Sequence, residues 1–157
     1  MQEPGVARFD VIQQEADEDI KALADMAEPL GFDSIWSVEH HFTDYTMCPD
    51  VVQFLSYMAG RTRHVRLGSM VVVLPWHDPM RVAEQISLLD HLSGGRMILG
   101  LGRGLGNVEY EGFRIPMGEA RGRFVEAAKI VRLALSEETF SFDGEYYQIP
   151  RTAIRPR

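Results

Sequence analysis

Cysteine is nearly missing from this sequence. Cys48 stands alone among 157 residues, so no internal disulfide can form and a multi-cysteine zinc site is excluded. Basic clusters are missing too. Sixteen Lys and Arg face 23 Asp and Glu, for a formal charge of −7, and nowhere do the cations form a block. That argues against nucleic acid and against an anionic membrane surface, because both are bound through basic patches. No apolar run approaches the roughly 20 residues that a membrane-spanning helix needs. The start, MQEPGVARFD, has neither the basic opening nor the apolar centre of a secretory signal, so a cytoplasmic location is the expectation. Low-complexity segments and sharp repeats are absent as well. What is present is an ordinary globular balance, 45% apolar and 25% charged, in a chain one domain long that can bury a core.

The apolar pattern alternates between helix and strand. Val11 to Leu30 has helical spacing, with Ile12, Ala16, Ile20, Leu23, Ala24 and Ala27 on one face, Pro29 in the last turn and Gly31 as a stop. Phe32 to Val38 is a short β-prone run. Pro49 to Thr62 reads as a helix with Val51, Phe54, Leu55 and Met58 apolar. His64 to Leu74, HVRLGSMVVVL, is the nearly continuous apolar run of a strand buried on both faces. Asp78 and Pro79 make a cap and first turn for a helix carrying Val82, Ala83, Ile86 and Leu89, ended by Gly94 or Gly95. Arg96 to Leu101 is another buried strand. Glu119 to Leu135 is a helix with Phe124, Ala128, Val131 and Leu135 on one face. Asp143-Gly144 between two β-prone arms signals a hairpin over Phe140 to Ile149. Such alternation predicts a parallel α/β sheet, either doubly wound or a β/α barrel. Three sheet strands alone would leave bare edges, and a complete barrel needs about 250 residues. The pattern predicts a piece of a larger domain or a chain completed by partners.

Two stretches carry chemistry. In WSVEHHFTD, strand parity puts Trp36, Val38 and His40 on one face and Ile35, Ser37, Glu39 and His41 on the other. His40 then stands at the C-terminal end of a strand, where both α/β architectures collect their reactive groups. Histidine moves protons near neutral pH; the plainer reading is a polar strand end satisfied by its neighbours. A metal pair is disfavoured, because adjacent histidines diverge and no third ligand is nearby. The second stretch is GLGRGLG, Gly100 to Gly106. It fails the dinucleotide pattern Gly-x-Gly-x-x-Gly, since the sixth position is Leu105 in one frame and Asn107 in the other. That fingerprint also needs a helix at once, and the next expected helix starts near Glu119. What remains is Arg103 at a strand end between Gly102 and Gly104. Two readings fit: an arginine fork for a phosphate, approached closely across glycine, or a surface arginine in a loop.

The runs GFDSIWSVEHHFTDY, LGSMVVVLPWHDPMRVAEQISLLDHLSGGRMILGLGRGL and FDGEYYQIP resemble the luciferase-like flavin monooxygenase family, close in places to the α subunits of bacterial luciferases. The resemblance implies α/β architecture as a (β/α)8 TIM barrel that binds reduced FMN, or in some branches a deazaflavin, at its C-terminal face. It implies that His40 is the active-site histidine, with Glu39 and His41 completing the motif. Arg103 is then the phosphate contact, flanked by Gly102 and Gly104, with Gly102 where luciferases often carry cysteine. An unusual peptide bond under the flavin ring falls at Met70-Val71, and Trp36 with the Val71 to Leu74 strand forms an apolar wall. Residues 1–157 correspond to one incomplete barrel domain, roughly the N-terminal half with its outer helices and a hairpin, lacking the first strand and strands five to eight. The implied activity uses reduced FMN and O2 on a small organic substrate, with a flavin reductase as possible supplier and a homo- or heterodimer at full length. Deazaflavin-dependent hydride transfer and a non-catalytic half-barrel are the alternatives.

Overall fold

The computed structural model describes residues 20–44 and 48–157. The first part of the first predicted helix, residues 11–19, lies outside them, and residues 20–25 are helical. Of the face expected for that helix, Ala24 and Ala27 are buried, whereas Leu23 is 65% exposed.

The first strand is β1, Ser34–Ser37. Helix α1 follows at Val51–Arg61, begun by Asp50, whose carboxylate accepts the Gln53 N–H at 2.9 Å. The long apolar run is broken in two, β2 at Arg66–Ser69 and β3 at Val72–Val73. The break falls at the Met70-Val71 peptide, which is cis. A 3-10 turn at Leu74–Trp76 leads into α2, Pro79–Ser93. Asp78 caps α2 by accepting from the N–H groups of Met80 and Arg81, and Gly94 ends it in the left-handed conformation at φ 71°. The next strand is likewise split, into β4 at Met97–Ile98 and β5 at Leu101–Gly102. A short helix, α3, occupies Asn107–Phe113, and α4 runs over Ala120–Ser136. The chain then forms a hairpin of β6, Phe140–Asp143, and β7, Gln148–Thr152.

Strands pair in parallel in the order β1-β2-β4, and β3 pairs in parallel with β5. Each strand lies beside the previous one, which is barrel order; a doubly wound sheet reverses at a switch point. The helices cover the outside. Val51, Leu55 and Met58 of α1 meet Val82, Ile86 and Leu89 of α2 in one core, and each such side chain contributes about 2 kcal/mol of apolar burial. The buried stripe of α4 is Ala127, Ile130, Val131 and Ala134, one residue round from the stripe expected, and Leu135 faces outward. Ala127 joins the core of Val82, Ile86 and Leu89, and Ala134 packs in a second cluster with Ala83, so small size outweighs apolar area in choosing the face.

At the opposite end from the strand C-termini, Arg96 ties three elements together. Its guanidinium donates to the carbonyls of Ala59, Thr62, Val65 and Ser93 and to Thr62 Oγ1, at 2.7–3.1 Å, supplying donors to the orphan carbonyls that end α1 and α2. The hairpin also departs from expectation. Asp143 is still strand, paired with Gln148, and the turn is the four residues after it, closed by the Gly144 N–H to the Tyr147 carbonyl. The Glu126 carboxylate collects the N–H groups of Glu145, Tyr146 and Tyr147. Gly144 leaves room for this carboxylate: a Cβ there would sit 2.3 Å from Glu126 Oε2 and displace it. Among the described residues, no helix is long and apolar enough to cross a membrane.

Candidate functional site

The segments that follow β1, β3 and β5 converge at the C-terminal ends of the strands. The first carries Glu39, His40, His41 and Phe42, the second Trp76 and His77, and the third Arg103 together with α3. Strand geometry stops at Ser37, yet the parity expected for Glu39 and His41 holds: their side chains meet, His41 Nε2 to Glu39 Oε1 at 3.0 Å.

Glu39 is the hub. It is 4% exposed, and its carboxylate also takes His77 Nε2 at 2.5 Å and the backbone N–H of Val73 at 2.8 Å. Burial pushes its carboxyl up, but His77, then His41 and the Val73 amide outweigh burial and hold it below the ordinary 4.5. Burial pushes His77 down, and the hydrogen bond and charge of Glu39 overcome this, with Asp50 adding to them, to raise it above 6.5. Glu109, also 4% exposed, is a second buried carboxylate. Its Oε1 accepts the His41 backbone N–H at 3.0 Å and lies 3.2 Å from His40 Nδ1.

An aromatic cluster surrounds these groups. Trp76 stacks on Phe113 at 5.4 Å, and the His41 ring stands edge-on to both, 5.3 Å from Trp76 and 4.6 Å from Phe113. Phe42, at φ 60°, lays its ring where a Cβ of Gly112 would be. Tyr110 is 1% exposed, packs edge-on to Trp76, and donates its hydroxyl to the Arg103 carbonyl. Trp76 Nε1 is buried without an acceptor among the described residues.

The glycine-rich turn has a different logic from the one its sequence offered. A Cβ on Gly100 would sit 2.2 Å from the Ser69 carbonyl oxygen, on Gly102 2.2 Å from Val71 Cγ2, and on Gly104 2.8 Å from both Trp76 and Val73. The glycines are flush against the neighbouring strand and tryptophan, so close packing, and not looseness, requires them. The expectation that no helix follows until Glu119 is overturned, because α3 begins at Asn107. Its seven residues lack helical apolar repetition, so periodicity could not register it. The dinucleotide reading still fails on glycine spacing.

All eight residues singled out in the sequence lie on this end of the fold. Glu39 bonds Val73, Val73 pairs with Gly102, Gly102 packs on Val71 beside Met70, and Arg103 and Gly104 follow. Arg103 is exposed, and among the described residues no carboxylate pairs with its guanidinium. Sequence reading missed His77, Glu109, Trp76, Tyr110 and Phe113. His77 follows the end of its strand segment as His40 does, and that placement is the signal that could have found it.

A histidine and carboxylate network at the C-terminal end of parallel strands, beside an arginine on a strand end, gathers polar groups on the face where (β/α)8 barrels place their chemistry. The chain belongs to the luciferase-like monooxygenase family, whose profile matches residues 6–157. The alkanal monooxygenase alpha chain of Aliivibrio fischeri is 33% identical over 82% of this chain and 36% of its own length. The monooxygenase RslO1 of Streptomyces bottropensis shares the fold with a TM-score of 0.84 at 36% identity, over 87% of this chain and 42% of its own. The oxygenating constituent of 3,6-diketocamphane monooxygenase of Pseudomonas putida, a type II Baeyer-Villiger monooxygenase solved in complex with FMN, follows at a TM-score of 0.79 and 25% identity, over 87% and 38%. The chain thus spans about 40% of the length of the relatives it matches, and its fold is a partial (β/α)8 barrel.

Proposed function

We propose that the full-length protein is a flavin-dependent monooxygenase that uses reduced FMN and O2 on a small organic substrate, and that residues 1–157 contribute one part of its barrel. The observation that carries this reading is the exposed guanidinium of Arg103 at the end of β5, which no carboxylate pairs among the described residues, beside β3 that follows the Met70-Val71 peptide and on the same barrel end as His40. A guanidinium fork suits a phosphate, so the donor set fits FMN. Arg103 would hold the phosphate, and Met70, Val71, Gly102 and Gly104 would border the cofactor. FMN when bound supplies the two-electron chemistry with oxygen.

The chain's own residues handle protons and water. His40 gives or takes the proton as oxygen is transferred. Glu39 fixes the His41 ring through Nε2 and ties it to Val73. Trp76, Phe113 and Phe42 form an apolar wall around the His41 ring, which limits water there. A reductase supplying reduced flavin fits a relative described as an oxygenating constituent.

Titrating FMN into the full-length protein and its Arg103→Ala variant tests the reading. Removing the fork should weaken binding by about 1–3 kcal/mol. Equal affinity would remove Arg103 from the phosphate site, and copurification of a deazaflavin in place of FMN would overturn the cofactor.

A further inference from the structure

We propose that Glu109 is the positioning residue for the acid–base histidine: it holds a proton on His40 Nδ1, so that Nε2 is the nitrogen through which the neutral ring exchanges protons. The proposal rests on the reading of His40 as the acid–base group. The residue pair is 69 positions apart in sequence and meets within the site at 3.2 Å.

Three observations converge. A carboxylate offers only acceptors, so the ring nitrogen facing Glu109 Oε1 is held as N–H. The same oxygen accepts the His41 backbone N–H at 3.0 Å, which fixes the carboxylate relative to the His40-His41 peptide and leaves it little freedom to follow the ring. Glu109 lies in the first turn of α3 behind Gly106, where a Cβ would fall 2.5 Å from Glu109 Oε2. Gly106 has an ordinary φ of −75°, so a side chain there would displace the carboxylate rather than strain the backbone. The turn that carries Arg103 therefore ends by setting the tautomer of a histidine from another loop. An imidazole held in one tautomer by a buried carboxylate is a known way to keep a base correctly oriented.

The measurement is imidazole nitrogen NMR of the full-length protein with labelled histidine, the His40 signals being assigned by their loss in His40→Gln. In the native protein the neutral His40 ring should carry its proton on Nδ1. Glu109→Ala should redistribute the proton to Nε2, and Gly106→Ala, which keeps the carboxylate but displaces it, should move the signals the same way. Turnover in both variants should fall about tenfold or more, with KM within about twofold. A native ring protonated on Nε2, or a tautomer unmoved in Gly106→Ala, overturns the proposal even if Glu109→Ala fails to fold. Normal turnover in His40→Ala sinks the acid–base reading instead, and leaves the Nδ1 tautomer measurement standing.

Discussion

Replacing Gly104 by alanine should cost the full-length protein about 2–5 kcal/mol. Gly104 sits at φ 79°, where an L side chain costs about 1–2 kcal/mol. The added methyl would also fall 2.8 Å from Trp76 Cζ2 and 2.8 Å from Val73 Cγ1, and overpacking of this kind costs about 1–3 kcal/mol. Neither neighbour can step aside easily. Val73 is buried strand, and Trp76 is held between Phe113, His41 and Tyr110. Against a total stability on the order of 5–15 kcal/mol, that loss shows plainly as a lower urea midpoint. Gly118→Ala is the matched control: nothing lies within 4 Å of its added Cβ, and its φ is not positive, so it should stay within about 0.5 kcal/mol. If the two variants unfold within about 0.5 kcal/mol of each other, close packing is not what Gly104 serves.

Arg96→Met keeps the stem of the side chain and removes every donor, leaving the carbonyls of Ala59, Thr62, Val65 and Ser93 short of partners. Urea unfolding should register a loss of about 2–4 kcal/mol, and a loss below about 1 would mean that water serves those carbonyls as well. The Glu39–His77 pair predicts a pH dependence with a definite sign. His77 is raised from 6.5, so its contribution is complete below that value and is lost as pH rises through the raised folded value. Glu39 is lowered from 4.5, so its contribution is complete above 4.5 and is lost as pH falls through the folded value. Stability from this pair is therefore greatest between 4.5 and 6.5. His77→Gln should flatten the decline in urea midpoint above 6.5, and an unchanged slope would assign that decline to other groups.

Local chemistry made part of this molecule legible in sequence. The Asp78-Pro79 start and Gly94 stop of α2 are short-range hydrogen-bond and backbone preferences, and both hold. The barrel order of strands and the gathering of Glu39, His40, His41 and Arg103 on one end follow from strand placement and from the family resemblance. What escaped was set by distance along the chain. The two carboxylates grip histidines through His77, 38 residues from Glu39, and Glu109, 69 residues from His40, and no window of periodicity spans such gaps. The buried face of α4 was offset because pattern reading weighs apolar area, whereas Ala127 and Ala134 are chosen for closeness. The hairpin turn shifted by a residue because Glu126, on the preceding helix α4 and 19 or more positions back, gathers its amides.

The glycines at 100, 102 and 104 have a consequence for how this chain can vary. A side chain absorbs a neighbour's displacement by changing rotamer, but bare backbone pressed against Ser69, Val71 and Trp76 has no such slack. Movement in the segment from Ser69 to Val73 must therefore pass into the segment bearing Arg103 and, beyond it, Glu109. Saturation mutagenesis should trace this as a two-residue rhythm, intolerant at the even positions and permissive at Leu105, which is 77% exposed. The segment is a rigid rail between two loops, and only its outer edge is open to drift.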